Sequence, residues 1–215
     1  MKLYVYDHCP YCVKARMIFG LKKLPYELLT LLNDDEETPI KMIGQKMVPI
    51  LQKKDGSYMP ESMDIVHYVD DSVGEPVLTG KTNPPIADCL KSMSEYINKL
   101  LLPRYAQADF CEFKTPSARQ YFTGKKQAIA GDFSQLLQQT PELIKRIEQD
   151  LAKLEKLIQS PDACNAELSV DDIHLFPVLR GISIVKGITY PPKVDAYRKA
   201  MARRCGVNLL DNMAQ

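Results

Sequence analysis

The stretch Asp7-His8-Cys9-Pro10-Tyr11-Cys12 constrains this chain more than any other. The residues before it, Lys2-Leu3-Tyr4-Val5-Tyr6, are rich in aromatic and β-branched types and suit a short strand. The residues after it place Val13, Met17, Ile18 and Leu21 at three- and four-residue spacing, the apolar face of a helix. Two cysteines therefore stand where a strand hands over to a helix. Pro10 fits the first helical position, where no backbone N–H is required. That leaves Cys9 at the helix N-terminus, where unpaired N–H groups and the positive end of the helix dipole favour a thiolate. Cys12 lies one turn deeper, over Cys9 and within reach of it for a disulfide. Such a pair is equipped for thiol–disulfide exchange.

The competing reading of two nearby cysteines is half of a zinc site. Zinc needs four ligands, and Cys89, Cys111, Cys164 and Cys205 are scattered, as are His8, His67 and His174. No second pair stands at metal spacing, so no metal is expected. The bulk numbers exclude other classes. A formal net charge of +1 gives no basis for nucleic-acid or anionic-membrane binding. No apolar run is long enough to cross a bilayer, and the N-terminus enters a strand without a signal-peptide core. A cytoplasmic chain keeps its six cysteines mostly reduced, and there a Cys-x-x-Cys reads as redox chemistry.

Along the first third, Leu24-Pro25 breaks the first helix and Tyr26–Leu32 supports a second strand. Asn33–Glu37 is an acidic, solvated turn, and Thr38-Pro39 starts a short helix running to about Gly44. Met47–Leu51 reads as a strand containing Pro49. Proline inside a strand is normally confined to its edge or start, which suggests backbone specialised to meet a ligand. Lys54–Ser57 is a hairpin turn, with Tyr58-Met59 the return strand. A third helix follows Glu61, with Ser62 as its N-cap and Met63, Ile65, Val66 and Val69 inward. This order describes an α/β unit with helices on both faces of a small mixed sheet. It ends near residue 72. Gly74, Pro76, Gly80, Pro84 and Pro85 crowd the following span, which reads as a linker over 73–84.

Residues 85–215 read as helical throughout. Ile86–Ala108 is expected as one long helix, bent at Pro103, and Thr115-Pro116 opens another. Leu143, Ile144, Ile147, Leu151, Leu154 and Ile158 form an apolar stripe that ends at Ser160-Pro161. In Leu168–Ile173, Ser169 can cap the N–H of Asp172 while the Asp172 carboxylate reaches back to the Ser169 N–H, a capping box. The helix it opens is apolar nearly all round, which places it at the centre of its domain and makes His174 a core residue. Gly187 ends that helix, and Pro191-Pro192 begins the last one.

Taken together these motifs resemble a known family. Cys9-Pro10-Tyr11-Cys12 is similar to the glutaredoxin active-site motif. Val48-Pro49 matches the cis-proline position of thioredoxin-like and glutathione-transferase folds. Glu61-Ser62 opens a helix as in the glutathione site of the transferases, and Ser169-x-x-Asp172 looks like the capping box of the transferase helical domain. From end to end the chain resembles the two-domain bacterial glutaredoxins, the glutaredoxin 2 family. The resemblance implies a thioredoxin-like α/β domain followed by an all-α glutathione-transferase-type domain. It also implies a cytoplasmic, monomeric, glutathione-dependent oxidoreductase acting on glutathionylated and disulfide-containing proteins. Cys9 would be the nucleophile and Cys12 the resolving thiol. Glutathione, the reductant, would meet Val48, Pro49, Glu61 and Ser62, with Tyr11 packed beside it or serving as a surface aromatic. Three positions depart from single-domain glutaredoxins: Tyr6 stands where a lysine is usual, Met47 where threonine is, and Pro60-Glu61-Ser62 replaces a Gly-Gly turn. Gln45 or Lys46 is a candidate for the glycine carboxylate in place of that lysine. Two other classes share the fold: a glutathione transferase or dehydroascorbate reductase using Cys9 alone, and a non-catalytic binding module. Neither needs Cys12.

Overall fold

Leu3 and Val5 point one way from the first strand and are fully buried, which fixes the middle of the sheet. A computed structural model describes residues 1–215. The first half runs β1 (Lys2–Val5), α1 (Pro10–Leu21), β2 (Glu27–Thr30), α2 (Glu37–Ile43), β3 (Ile50–Gln52), β4 (Tyr58–Met59) and α3 (Ser62–Ser72). The sheet order is β2-β1-β3-β4. β2 lies parallel to β1, with Leu3 opposite Leu28. β3 and β4 are antiparallel, with Leu3 opposite Leu51 and Leu51 opposite Met59. The sheet is therefore mixed, and α1 packs against α3 beside it.

Two details of this half differ from the sequence reading. β3 starts at Ile50, so Met47, Val48 and Pro49 precede the strand rather than form it. A proline has no N–H to give a ladder, and the Val48–Pro49 bond is cis. Ser62 is the first residue of α3, not its cap; Glu61 holds that position with φ 67° and makes no side-chain cap.

The second half is helical: α4 (Pro84–Ser94), α5 (Ile97–Gln107), a 3-10 turn at Cys111–Phe113, α6 (Pro116–Ala130), α7 (Phe133–Gln138), α8 (Thr140–Glu155), α9 (Val170–Ile182) and α10 (Pro192–Cys205). The helix expected over Ile86–Ala108 is two helices. The break falls at Tyr96, whose φ of −132° leaves the helical region, while its buried hydroxyl donates to Asp150 at 2.8 Å. Pro103 sits inside α5 without ending it; the carbonyl it leaves unpaired belongs to Lys99, an exposed residue that water can serve. Likewise α8 stops at Glu155, and Ile158 buries from a turn. α9 ends at Ile182, five residues before Gly187. Ser183, Ile184 and Val185 then donate to the carbonyls three residues back, tightening the exit.

α9 packs against α1, α4, α5 and α10. At its start the Ser169 N–H donates to the Asp172 carboxylate at 2.9 Å, and the Asp172 N–H goes to the Ser169 carbonyl at 3.1 Å. The core does not divide at the end of α3. Leu3, Ile18 and Val66 belong to the same apolar cluster as Leu100, Leu151, Phe176 and Tyr197. No helix is long and apolar enough to cross a membrane.

Candidate active site

β1 ends at Val5, and the Cys9 N–H donates to the Tyr6 carbonyl at 3.3 Å, closing a turn that delivers Cys9 to the start of α1. Cys9 is extended, with φ −75° and ψ 120°, and Pro10 is the first helical residue. Cys9 is partly exposed, whereas Cys12 is fully buried. The Cys12 sulfur accepts the Tyr6 N–H at 3.4 Å. The two thiols consequently differ in acidity. The hydrogen bond from the Cys12 side chain is the main influence drawing the Cys9 thiol down to about 6. The charge of His8 and the N–H groups of Cys12 and Tyr11 help, against the opposing effect of burial. Burial first, and then the neighbouring Cys9, push the Cys12 thiol well above the ordinary range.

The turn before Cys9 is gripped by the helical half. Arg180 of α9, itself buried, donates to the Asp7 carbonyl at 2.7 Å and to the Asp7 carboxylate at 2.8 Å. Arg16 of α1 donates to the same carboxylate. Burial pushes the Asp7 carboxyl upward, but the two arginines outweigh it and leave it below the usual range. Glu112, in the 3-10 turn, accepts the His8 backbone N–H at 2.9 Å and its ring Nδ1 at 2.6 Å. Neither Arg180 nor Glu112 carries a local motif. Their partners lie 104 and 173 residues apart in the chain, and only the fold brings them together.

Cys9 opens into a cleft of about 510 Å³ between the two halves. Val48 lines one wall with Met47 and Lys46; Tyr105, Tyr121 and Phe122 of the helical half line the other, with Lys125 and Lys126 beside them. The Val48 N–H and carbonyl are engaged with no other backbone group. Tyr11 lines the cleft and is 58% exposed, with the Lys14 ammonium 5.2 Å from its ring centroid. Pro49 is buried behind Val48. Glu61 is exposed and Ser62 buried at the first turn of α3, and neither lines this cleft. So Cys9, Tyr11 and Val48 line one cleft, Cys12 lies beneath, and Glu61 and Ser62 lie outside its immediate lining. Lys46, the alternative raised for a carboxylate, does reach the cleft. Its ammonium lies 3.6 Å from the Tyr121 ring centroid and donates to the Asn33 carbonyl at 2.6 Å. His174 is not a core residue. It is partly exposed in a second cleft of about 530 Å³ between α1, α4 and α9, with Nδ1 2.8 Å from the Lys14 ammonium. Burial and that ammonium hold its imidazole below the usual range.

A thiol pair of this kind at a strand–helix junction, facing a cleft roofed by helices, has clear relatives. The family model described as "Glutaredoxin 2, C terminal domain" matches residues 85–214. "Glutathione S-transferase, N-terminal domain" matches residues 3–77. Glutaredoxin 2 of Escherichia coli strain K12 is 60% identical over 214 residues, spanning 100% of both chains. This chain belongs to the glutaredoxin 2 family. The crystal structure of glutaredoxin 2 from Salmonella typhimurium in complex with glutathione superposes with a TM-score of 0.99 at 60% identity, covering 100% of this chain and 98% of that one. A glutathione transferase from Phanerochaete chrysosporium matches at a TM-score of 0.70 but 14% identity, covering 94% and 96% of the two chains, which is a likeness of fold alone. With the family comes the class of chemistry: the chain is a glutathione-dependent thiol–disulfide oxidoreductase with a thioredoxin-type domain and a helical domain.

Proposed function

We propose that Cys9 is the nucleophile and Cys12 the resolving thiol in the reduction of glutathione mixed disulfides and protein disulfides. The observation that carries this reading is geometric: Cys9 opens to the cleft at the start of α1, while Cys12 is fully buried beneath it. Cys9 is drawn down to about 6. Cys89, Cys164 and Cys205 are raised, each chiefly by burial. A low-pKa thiol supplies more thiolate for attack and leaves more readily afterwards. The Cys9 thiolate attacks the glutathione sulfur of a mixed disulfide. The old S–S bond breaks, and the substrate leaves as a thiolate that takes up a proton. A second glutathione thiolate then attacks the Cys9–glutathione disulfide, releasing oxidised glutathione and the Cys9 thiolate. With a protein disulfide, Cys9 forms the mixed disulfide and Cys12, giving up its proton, displaces the reduced protein. The resulting Cys9–Cys12 disulfide is reduced by two molecules of glutathione.

The Salmonella relative binds glutathione, and at 60% identity the same ligand suits this cleft. The unengaged N–H and carbonyl of Val48 can pair with the cysteinyl part of the peptide in a short antiparallel arrangement. Tyr11 covers one side. The first N–H groups of α3, at Ser62, have no helical partner and suit the γ-glutamyl carboxylate, with Glu61 shaping the turn. Pro49 backs Val48, while Ser169 and Asp172 hold the helical domain away from the chemistry. The division of the chain is a thioredoxin-like domain over 1–72, a linker over 73–84 and a helical domain over 85–215. A cytoplasmic monomer that meets glutathionylated and disulfide-bearing proteins completes the reading.

The alternative, a transferase or dehydroascorbate reductase using Cys9 alone, gives Cys12 no work. Two assays on purified protein separate them: reduction of a glutathione mixed disulfide, and conjugation of an electrophile to glutathione. Reduction is expected to dominate. Cys9→Ser should abolish it. Cys12→Ser should keep mixed-disulfide reduction, accumulate a glutathione adduct that mass spectrometry maps to Cys9, and lose most protein-disulfide reduction. An active Cys9→Ser variant, or conjugation without reduction, would overturn the assignment.

A further inference from the structure

His8, the residue before Cys9, packs among aromatic rings. Tyr6 stacks at 5.9 Å, Tyr105 lies at 5.3 Å, and Phe113 and Phe122 each lie at 5.1 Å between ring centroids. Into this apolar cage the helical half inserts one carboxylate, Glu112, with no exposure at all. Both donors of His8 meet a single oxygen of it, and the other oxygen, also buried, has no partner. A buried carboxylate with an idle oxygen is costly. Glu112 is not the sole tie of the turn to the helical half, because Arg180 already holds Asp7. What the side chain adds is an effect on the imidazole: a carboxylate oxygen 2.6 Å from Nδ1 fixes the ring's orientation.

We propose that Glu112 is a positioning residue for the thiol chemistry, its carboxylate acting on Cys9 through the His8 imidazole that it holds, so that the helical domain tunes a cysteine it does not carry. This rests on the reading of Cys9 as the nucleophile. The charges around His8 favour it. On the chain side stand Tyr6, Asp7 and Cys9, and Asp7 is already matched by Arg180 and Arg16. Of the rings that face His8 from the helical half, Tyr105 of α5 brings a hydroxyl and Phe122 of α6 no titratable group. Glu112 is therefore the carboxylate bonded to the ring. The charge of His8 lowers the Cys9 thiol, while Glu112 makes itself felt at Cys12, which it raises. Removing the Glu112 carboxylate should accordingly weaken the influence of His8 on Cys9.

The test is the pH dependence of Cys9 alkylation by iodoacetamide in the full-length protein, Glu112→Gln, His8→Gln and the double variant, with the labelled cysteine mapped by mass spectrometry. Glutamine keeps the shape and an acceptor oxygen but not the charge. Both single variants should raise the apparent Cys9 pKa by about one unit and slow alkylation at pH 6 several-fold. Mixed-disulfide reduction should recover as the pH is raised. The double variant should match His8→Gln, since Glu112 acts through that ring. A Glu112→Gln protein with a lowered melting temperature but an unmoved Cys9 pKa would reduce Glu112 to a structural residue and overturn the inference, as would an effect that adds to that of His8→Gln. If Glu112→Gln does not fold, an unmoved pKa in His8→Gln overturns it alone. Labelling at a cysteine other than Cys9 would instead remove the nucleophile assignment itself.

Discussion

Cys9 and Cys12 are chemically identical and three residues apart, yet their surroundings set them to opposite ends of the thiol range. The direction at Cys9 fixes the pH response. A thiol pulled down from about 9 to about 6 is thiolate at neutral pH and loses that form as the pH falls through about 6. Alkylation of Cys9 in the unmodified protein should therefore be nearly flat above pH 7 and fall roughly tenfold per pH unit well below 6. Cys12 should resist the same reagent until the protein is unfolded, because its sulfur is fully buried and its thiol raised. A Cys9 titration centred near 8.5, the value of a free thiol, would show that the turn and its neighbours do nothing to the sulfur.

At the scale of the element, α9 shows what a local motif can and cannot announce. The Ser169–Asp172 pair is legible because all its atoms lie within four residues. Its other partners are not. The Asp172 carboxylate also accepts the Cys164 N–H at 2.7 Å and the Tyr197 hydroxyl at 2.8 Å. Asp172→Ala should thus cost more than the roughly 0.5–2 kcal/mol of a lost cap, since two further buried donors lose their acceptor. We expect the melting temperature to fall by roughly 5–10 °C while the specific activity of the folded fraction stays near normal; an unchanged melting temperature would rule out the pair as a fastening. The same distinction explains the site. The Cys9–Cys12 pair, the Val48-Pro49 step and the start of α3 are neighbouring residues with recognisable chemistry. The grips of Arg180 on Asp7 and of Glu112 on His8 join distant residues of ordinary type. The break at Tyr96 was hidden for a similar reason: the buried partner of its hydroxyl, Asp150, lies 54 residues further on. Pro103, the local cue, lies inside α5 and marks no break.

At the scale of the whole molecule, α1 is the element on which both halves depend. It carries the thiols at its start, packs on α3 within its own half, and meets α9 and α10 of the other. Near its end Gly20 lies so close to the last residue of α10 that a Cβ there would sit 1.8 Å from the Cys205 carbonyl oxygen. No side chain can occupy that space without moving one helix off the other. The backbone around Cys205 cannot yield as a flexible side chain would. Because the apolar cluster runs unbroken from β1 to α10, loosening this contact should not free one half to melt alone. Thermal unfolding of the unmodified protein should be a single transition, coincident by near- and far-ultraviolet circular dichroism. Gly20→Ala should lower that one transition by the roughly 1–3 kcal/mol typical of overpacking, or more, and leave it single. Two resolved transitions in either protein would mean that the halves fold independently, and that the grip of the helical domain on the Asp7-His8 turn is a docking contact rather than part of one core.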